Sequence, residues 1–355
     1  MTKIRVGIVA GGQSSEHEIS CVSAGGILAS IDRTKFEPVL LGITKSGKWV
    51  LPQPDLDLTI KNGALPVIPE GSPLICADIN EFTAHTQPLN LDVLFPVLHG
   101  PYGEDGTFQG ACEVAGIRYV GSGVLASAAA MDKSFAKAIF AAAGLSVAQG
   151  FVIHSRDWPH SAQAVKSQVE KLGLPVFVKP ARGGSSRGTH KVKSIDQLDS
   201  AISDALSFDS KVMVEQAISG REIECGVLEI SGKVSVTEPG EVRISPEHEF
   251  YDFQAKYLDG ATSFTTQVEL PEDSAANISD QARIAFQALG CEGLARVDFF
   301  LSDQGKIIIN EINTMPGFTA TSVFPQLWKA AGIGYTELIT ILLESAMSRS
   351  MSVTR

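Results

Sequence analysis

The stretch KIRVGIVAGG, residues 3–12, is an apolar run that stops on two glycines. It reads as a buried strand closed by a tight turn. Behind it, Ser15 and Glu18 stand at capping-box spacing, and Ala24, Ile27, Leu28 and Ile31 recur at helical intervals. FEPVLLGIT, residues 36–44, supplies a second strand. This βαβ beginning commits the first part of the chain to a parallel sheet. LNLDVLFPVLHG (89–100) adds a strand, and TFQGACEVAG (107–116) a helix leading to IRYVGS. Residues 1–125 are therefore predicted to form an open parallel α/β domain, with the Pro-, Gly- and Asn-rich segment 52–90 as a surface excursion.

From about residue 126 the pattern changes. ASAAAMDKSFAKAIFAAAG (126–144) predicts one helix, and PVFVKPA (175–181) and KVMVEQAI (211–218) predict strands around a Gly/Ser loop. REIECGVLEI (221–230) and KVSVTEPGEVRI (233–244) read as two more strands, followed by a polar loop 245–266 and a helix near 272–290. ARVDFFLSDQGKIIINEIN (295–313) is a hairpin turning at Gln304-Gly305, so facing residues sum to about 609. Asp298 then opposes Glu311. Because side chains alternate faces, Glu311 and Asn313 share one side, with Arg296 at the edge of the cluster. Two carboxylates and an amide, with room for phosphate oxygens and water, suit Mg²⁺. A solvated polar hairpin face is the plain alternative.

Composition narrows the function classes. With 355 residues, 44% hydrophobic, the chain can bury a sizeable core. A net charge of -11 with scattered basic residues argues against nucleic acid, whose phosphates demand clustered Lys and Arg. The amino-terminal run lacks the parts of a signal peptide, and no apolar stretch approaches a membrane span. The 5 cysteines are far apart and without C-x-x-C spacing, as expected of buried thiols in a reducing cytoplasm.

Two further signals concern phosphate. In VFVKPARGGSSRGTH (176–190), a strand ends in Lys179 and runs into glycines and serines whose backbone N–H groups can cradle phosphate oxygens, without forming a Walker A loop. Glu215 closes another strand, and Glu222 follows seven residues on. Such a pair can hydrogen-bond an adenosine or simply face solvent.

Lys133 in MDK, Lys179, Glu215 and the Asp298/Glu311/Asn313 set together resemble the ATP-grasp enzymes. GGQSSEHEIS, VFPVLHGPYGEDGTFQG, MDKSFAK, VKPARGGSS, YDFQAKY, GLARVDFF and NEINTMPGFT, in that order, are similar to the D-alanine–D-alanine ligase family over nearly the whole chain. The resemblance implies a two-subdomain ATP-grasp fold behind the first domain, divided at 126–216 and 217–355, with 245–266 as its lid. It implies ATP, two Mg²⁺ or Mn²⁺ ions and two molecules of D-alanine, and it leaves a monovalent cation open as a further cofactor. A cytoplasmic homodimer joined through the first domain, with no nucleic-acid or membrane partner, is the family expectation.

Site roles follow from the same resemblance. Glu16 would bind the ammonium of the first D-alanine and His99 would touch that substrate. Lys133, Lys179, Ser185, Ser186 and Lys256 would surround the ATP phosphates, with Glu215, Glu222 and Asn310 completing the nucleotide site. Asp298 and Glu311 would hold one metal ion, and Glu311 with Asn313 the other. Arg296 and the Gly317 N–H would stabilise the oxyanion, and Ser322 would hold the second substrate's carboxylate. Tyr257 would join Glu16 and Ser185 in a hydrogen-bonded triad and favour the amide over an ester product. Arg187 and Thr189-His190 depart from the family's loop pattern, and Arg187 is expected to face solvent.

Other classes fit less well. A nicotinamide oxidoreductase needs G-x-G-x-x-G, which AGGQSSEHE does not match. A regulator without catalysis would be expected to have lost a metal ligand or Arg296. A ligase joining D-alanine to D-lactate or D-serine is the remaining rival.

Overall fold

The computed structural model describes residues 2–78, 81–84, 87–244, 262–271 and 273–349. β1 (Ile4–Gly11) leaves the sheet through Gly11, at φ +94, where a Cβ would lie 2.2 Å from the Ile43 carbonyl oxygen. Only glycine permits that turn. The helix that follows, α1 (His17–Ser30), starts later than the capping box predicts. Glu16 occupies the N-cap with no side-chain cap bond. The hydroxyl of Ser14 accepts the Glu16 N–H at 3.2 Å and donates to the His99 carbonyl at 2.7 Å, so the entry turn is fixed by a distant loop instead.

β2 (Phe36–Ile43) runs parallel to β1, and β3 (Trp49–Val50) edges the sheet antiparallel. A small meander, β4 (Ile75–Asp78), β5 (Glu81–Ala84) and β6 (Gln87–Pro88), interrupts the excursion before β7 (Val93–Pro96) returns. After α2 (Thr107–Ala115), β8 (Arg118–Tyr119) completes the order β3-β2-β1-β7-β8. The excursion is not wholly superficial, because Leu58 and Ile68 are buried in the core. His17 pins it there. Its Nδ1 faces the Gly12 carbonyl at 2.8 Å, so Nδ1 carries the proton, and Nε2 accepts the Ile68 N–H at 3.1 Å.

The single helix predicted over 126–144 is two, α3 (Val124–Met131) and α4 (Lys133–Ala142). Asp132 breaks it. Its carboxylate accepts the N–H groups of Ser134 and Phe135, an N-cap that favours a new start over continuation, and pairs with buried Lys211 at 2.7 Å. The break turns Lys133 toward the neighbouring sheet. That sheet combines β9 (Gly150–His154), β10 (Val176–Pro180), β11 (His190–Val192) and β12 (Lys211–Gln216) in the antiparallel order β11-β10-β12-β9. It packs against α5 (Trp158–Leu172) and α6 (Leu198–Phe208) through Val165, Val169, Leu198 and Ile202.

The third sheet contains β13 (Gly220–Ile230), β14 (Lys233–Val236), β15 (Gly240–Ile244), β16 (Thr262–Thr265), β17 (Leu294–Ser302) and β18 (Ile307–Asn313). Its order is β16-β15-β13-β17-β18, with β14 also on β13. The strand predicted over 233–244 is two, since Pro239 between them has no N–H to give a ladder. α7 (Ser274–Ala288) covers one face with Ile278, Ala282 and Phe286. Finally α8 (Val323–Ala330) and α9 (Tyr335–Ser348) return to the first sheet, where Phe324, Trp328, Leu338 and Leu342 share a core with Val6, Ile8, Val93 and Phe95. Each such buried side chain contributes about 1.5–3 kcal/mol. The packing of the sheets onto one another leaves a cleft between the second and third, open toward the end of the first. Among the described residues, no helix is long and apolar enough to cross a membrane.

Candidate active site

The cleft encloses about 250 Å³ and is lined from all three units. The β17–β18 hairpin builds one wall. Asp298 faces Glu311, Val297 faces Ile312, and Arg296 faces Asn313 across it. The predicted pairing sum of 609 holds in this half. Nearer the turn, Phe299 faces Ile309, and the register shifts by one between Asp298 and Phe299. The turn is therefore one residue longer than predicted, and Asn310 is the extra residue of a β-bulge that restores the polar register at the site.

Arg296 sits at the centre of this wall, not at its edge. Its Nε and Nη2 both donate to Asp298 at 2.7 Å, and Glu224 Oε2 on β13 lies 3.0 Å from Nε. Asn313 Nδ2 donates to Asp298 at 3.0 Å. Among the described residues, no three His, Cys, Asp or Glu side chains converge as a preformed metal cage. Two carboxylates and an amide on adjacent strands are instead the hard-oxygen set for a cation that shares its remaining positions with phosphate and water.

The opposite wall carries ammonium groups. Lys179 at the end of β10 and Lys137 on α4 hold the two oxygens of Glu215, at 2.5 Å and 2.7 Å. Glu215 is 3% exposed, and burial alone would favour its neutral form, but the Lys179 and Lys137 charges hold its carboxyl at about 2. Burial lowers the pKa of Lys137 despite Glu215. The Glu215 carboxylate lines the cleft and is held there by two lysines, a pairing that the sequence reading did not foresee. Lys133 bridges the walls. Its Nζ donates to the Gly183 carbonyl at 2.7 Å and lies 3.4 Å from Glu311.

The Gly/Ser loop closes the cleft from above. Ser185 and Ser186 both take left-handed backbone, at φ 50 and 57, a strain of about 1 kcal/mol or more each for non-glycine residues. That conformation lets the Ser185 hydroxyl donate to Glu16 at 2.5 Å. A Cβ at Gly184 would stand 2.6 Å from Glu16 Oε2, and one at Gly100, φ +76, 2.7 Å from the same oxygen. Two glycines therefore make the seat for this carboxylate.

His99 lines the cleft with its ring committed to the fold. Nδ1 donates to the Met315 carbonyl at 3.1 Å, leaving Nε2 to accept from Ser23 at 3.3 Å. Burial lowers its pKa, in keeping with this neutral ring. Glu104 accepts the N–H groups of Gly100 at 2.6 Å and Met315 at 3.3 Å. Burial and the nearby Glu16 charge raise its pKa to about 8. His99 and Glu104 together fix the start of the Met315-Pro316-Gly317 turn. A Cβ at Gly317 would lie 3.2 Å from the Ser322 hydroxyl, which itself accepts the Thr319 N–H at 3.1 Å.

The cleft thus gathers Glu16, His99, Lys133, Lys179, Ser185, Ser186, Glu215, Glu222, Arg296, Asp298, Asn310, Glu311, Asn313 and Gly317, with Ser322 behind Gly317. Arg187 is exposed at its rim, and His190 pairs with Asp204 at 2.7 Å. Lys256 and Tyr257, with most of the predicted lid, lie outside the described residues. The sequence reading missed Lys137, Glu104 and Glu224. Lys137 is one helical turn beyond Lys133 and Glu224 is two strand residues beyond Glu222, so periodicity could have found both. No local pattern marks Glu104.

The family model described as D-ala D-ala ligase N-terminus matches residues 5–122, and that described as D-ala D-ala ligase C-terminus matches residues 139–344. The D-alanine–D-alanine ligase of Paenarthrobacter aurescens (strain TC1) is 48% identical over 360 residues, covering 97% of this chain and 95% of that protein. The D-alanine–D-alanine ligase of Mycobacterium tuberculosis (strain CDC 1551 / Oshkosh) is 47% identical over 368 residues, covering 99% and 97%. Among solved structures, VanG D-Ala:D-Ser ligase from Enterococcus faecalis is similar with a TM-score of 0.83 at 31% identity, covering 97% of this chain and 100% of that one. D-alanine-D-alanine ligase from Coxiella burnetii is similar with a TM-score of 0.81 at 32% identity, covering 98% and 95%. With both halves matched along nearly its full length, the chain belongs to the D-alanine–D-alanine ligase family and shares its ATP-grasp fold.

Proposed function

We infer that this protein joins two D-alanines into D-alanyl-D-alanine at the expense of ATP, a step of cell-wall precursor synthesis. What carries the reading is the near-full-length likeness to D-alanine–D-alanine ligases, with anion-binding and cation-binding walls meeting in one cleft. The first D-alanine rests its ammonium on Glu16. Its carboxylate oxygen attacks the γ-phosphorus, the bond to ADP breaks, and an acyl phosphate forms. Lys133 and Lys179 face the phosphates, Ser185 and Ser186 close over them, and Glu222 and Asn310 complete the nucleotide site. Glu215, which lines the cleft beside Lys179, belongs to the same nucleotide site. The neutral amine of the second D-alanine then attacks the acyl carbon, and phosphate leaves with the C–O bonding pair. Arg296 and the Gly317 N–H meet the oxyanion, and Ser322 holds the second carboxylate. His99 lines the first substrate's site and fixes the Met315 carbonyl there.

Asp298, Glu311 and Asn313 would hold two Mg²⁺ or Mn²⁺ ions, which supply positive charge at the transferring phosphoryl group. Lys256 and Tyr257 are assigned to the lid. The division at 1–125, 126–216 and 217–355, the homodimer through the first unit and the cytoplasmic location belong to the same reading, with no nucleic-acid or membrane partner. The test is phosphate release from ATP with D-alanine, L-alanine, D-serine and D-lactate, singly and in pairs, with product identification. D-alanine alone should sustain release and yield the dipeptide. Preferential use of D-serine or D-lactate as second substrate would replace this assignment by the corresponding mixed ligase.

A further inference from the structure

Arg296 is held from two sides, and the two holders are not equivalent. Asp298, two residues along β17, receives both Nε and Nη2 at 2.7 Å. Glu224 approaches from β13 with Oε2 at 3.0 Å from Nε. In the sheet, Glu224 faces Asp298 on one side and Glu311 faces it on the other, so Asp298 is the middle carboxylate of three. Glu311 and Asn313 lie on the hairpin side, whereas Glu224 lies on the side away from them. Both oxygens of Asp298 are engaged, by Arg296 and by Asn313. A divalent cation entering between Asp298 and Glu311 competes with the guanidinium for the Asp298 oxygens.

We propose that Glu224 is a positioning residue that keeps Arg296 in place and charge-compensated while Asp298 is released to a divalent cation. The inference rests on the reading of Asp298 and Glu311 as cation ligands. Glu224 is 3% exposed, so it cannot exchange Arg296 for water without uncovering a buried carboxylate. Its hold on Arg296 persists through the exchange and lowers the cost of giving up Asp298. Without the Glu224 charge, Arg296 has a single anionic partner in this pair of contacts and competes with the cation for it.

The test uses Glu224→Gln, which keeps the side-chain volume and removes the charge. Mn²⁺ binding is measured by electron paramagnetic resonance on the full-length protein with β,γ-methylene ATP present, beside thermal unfolding. The expected result is Mn²⁺ affinity weakened by about tenfold, with kcat reduced and partly recovered at high Mg²⁺. Glu224→Asp, which keeps the charge, should fall between wild type and Glu224→Gln, and it supplies the measurement if Glu224→Gln does not fold. Unchanged Mn²⁺ affinity in a folded variant, even with a lower melting temperature, overturns the proposal, because a merely structural carboxylate would behave that way. Wild-type protein that fails to bind Mn²⁺ with the analogue would overturn the cation-site reading itself.

Discussion

The two walls of the cleft are the same device with the signs exchanged. On the ammonium wall, Lys137 and Lys179 share Glu215, leaving one positive charge in surplus. On the carboxylate wall, Glu224 and Asp298 share Arg296, leaving one negative charge in surplus. In each, the middle ion has a deep partner, Lys137 or Glu224, both under 5% exposed, and a partner nearer the ligands. The difference teaches what each wall can trade. The first can release an ammonium to an anionic phosphate chain, and the second can release a carboxylate to cations, without stranding a buried charge.

The severest break in the second wall is Glu311→Gln, which removes a charge from the residue facing Asp298. Turnover should fall by about a thousandfold or more with the fold retained, and near-normal phosphate release at saturating Mg²⁺ would contradict the cation assignment. In the first wall, Glu215→Ala strands the buried Lys137 ammonium and leaves the half-buried Lys179 without this carboxylate, so urea unfolding should show a loss of about 3 kcal/mol. A loss below about 1 kcal/mol would mean that the lysines do not depend on this carboxylate. Lys137→Met keeps the stem but leaves Glu215 wholly to Lys179. The ATP KM should rise about tenfold, near 1.4 kcal/mol, with a smaller change in kcat, and an unchanged KM would remove the parallel with Glu224.

Glu104 lies outside both walls and sharpens the contrast, because no lysine or arginine among the described residues forms an ion pair with it. Its folded pKa of about 8 stands above the usual 4.5, so the native state keeps a proton that the unfolded chain has lost. Stability should therefore fall as pH rises between those values, and Glu104→Gln should flatten the melting-temperature profile between about pH 5 and about pH 8. An unflattened profile would place the titration elsewhere. The smallest effect is expected from Arg187→Val at the exposed rim, where the ATP KM should change by less than about threefold. A tenfold rise would bring Arg187 into the phosphate site.

The strands of the site were legible because apolar runs and period-two alternation survive in this chain. Asp298, Glu311 and Asn313 could be set face to face from the hairpin alone. The bulge at Asn310 was not legible, since an extra residue leaves no composition mark, and it offset a turn read one residue too short. Asp132 inside an alanine-rich run hid a helix boundary, because the run's unbroken helical composition outweighed one cap residue whose ion pair with Lys211 on a distant strand is not visible in sequence. α5 and α6 escaped notice for a different reason: their polar surfaces dilute the apolar period. Glu224 and Lys137 were visible as spacing, but only their burial shows that they are partners of the residues already chosen.

The path of α8 and α9 has a consequence for biosynthesis. The face of the first sheet carrying Val6, Ile8, Val93 and Phe95 is finished by Phe324, Trp328, Leu338 and Leu342, which a ribosome delivers only after both other sheets have been made. That face of the first sheet therefore keeps its apolar surface uncovered until those residues have emerged. Apolar surface left open in this way is prone to aggregation during synthesis, so completing the first sheet is a late step of folding.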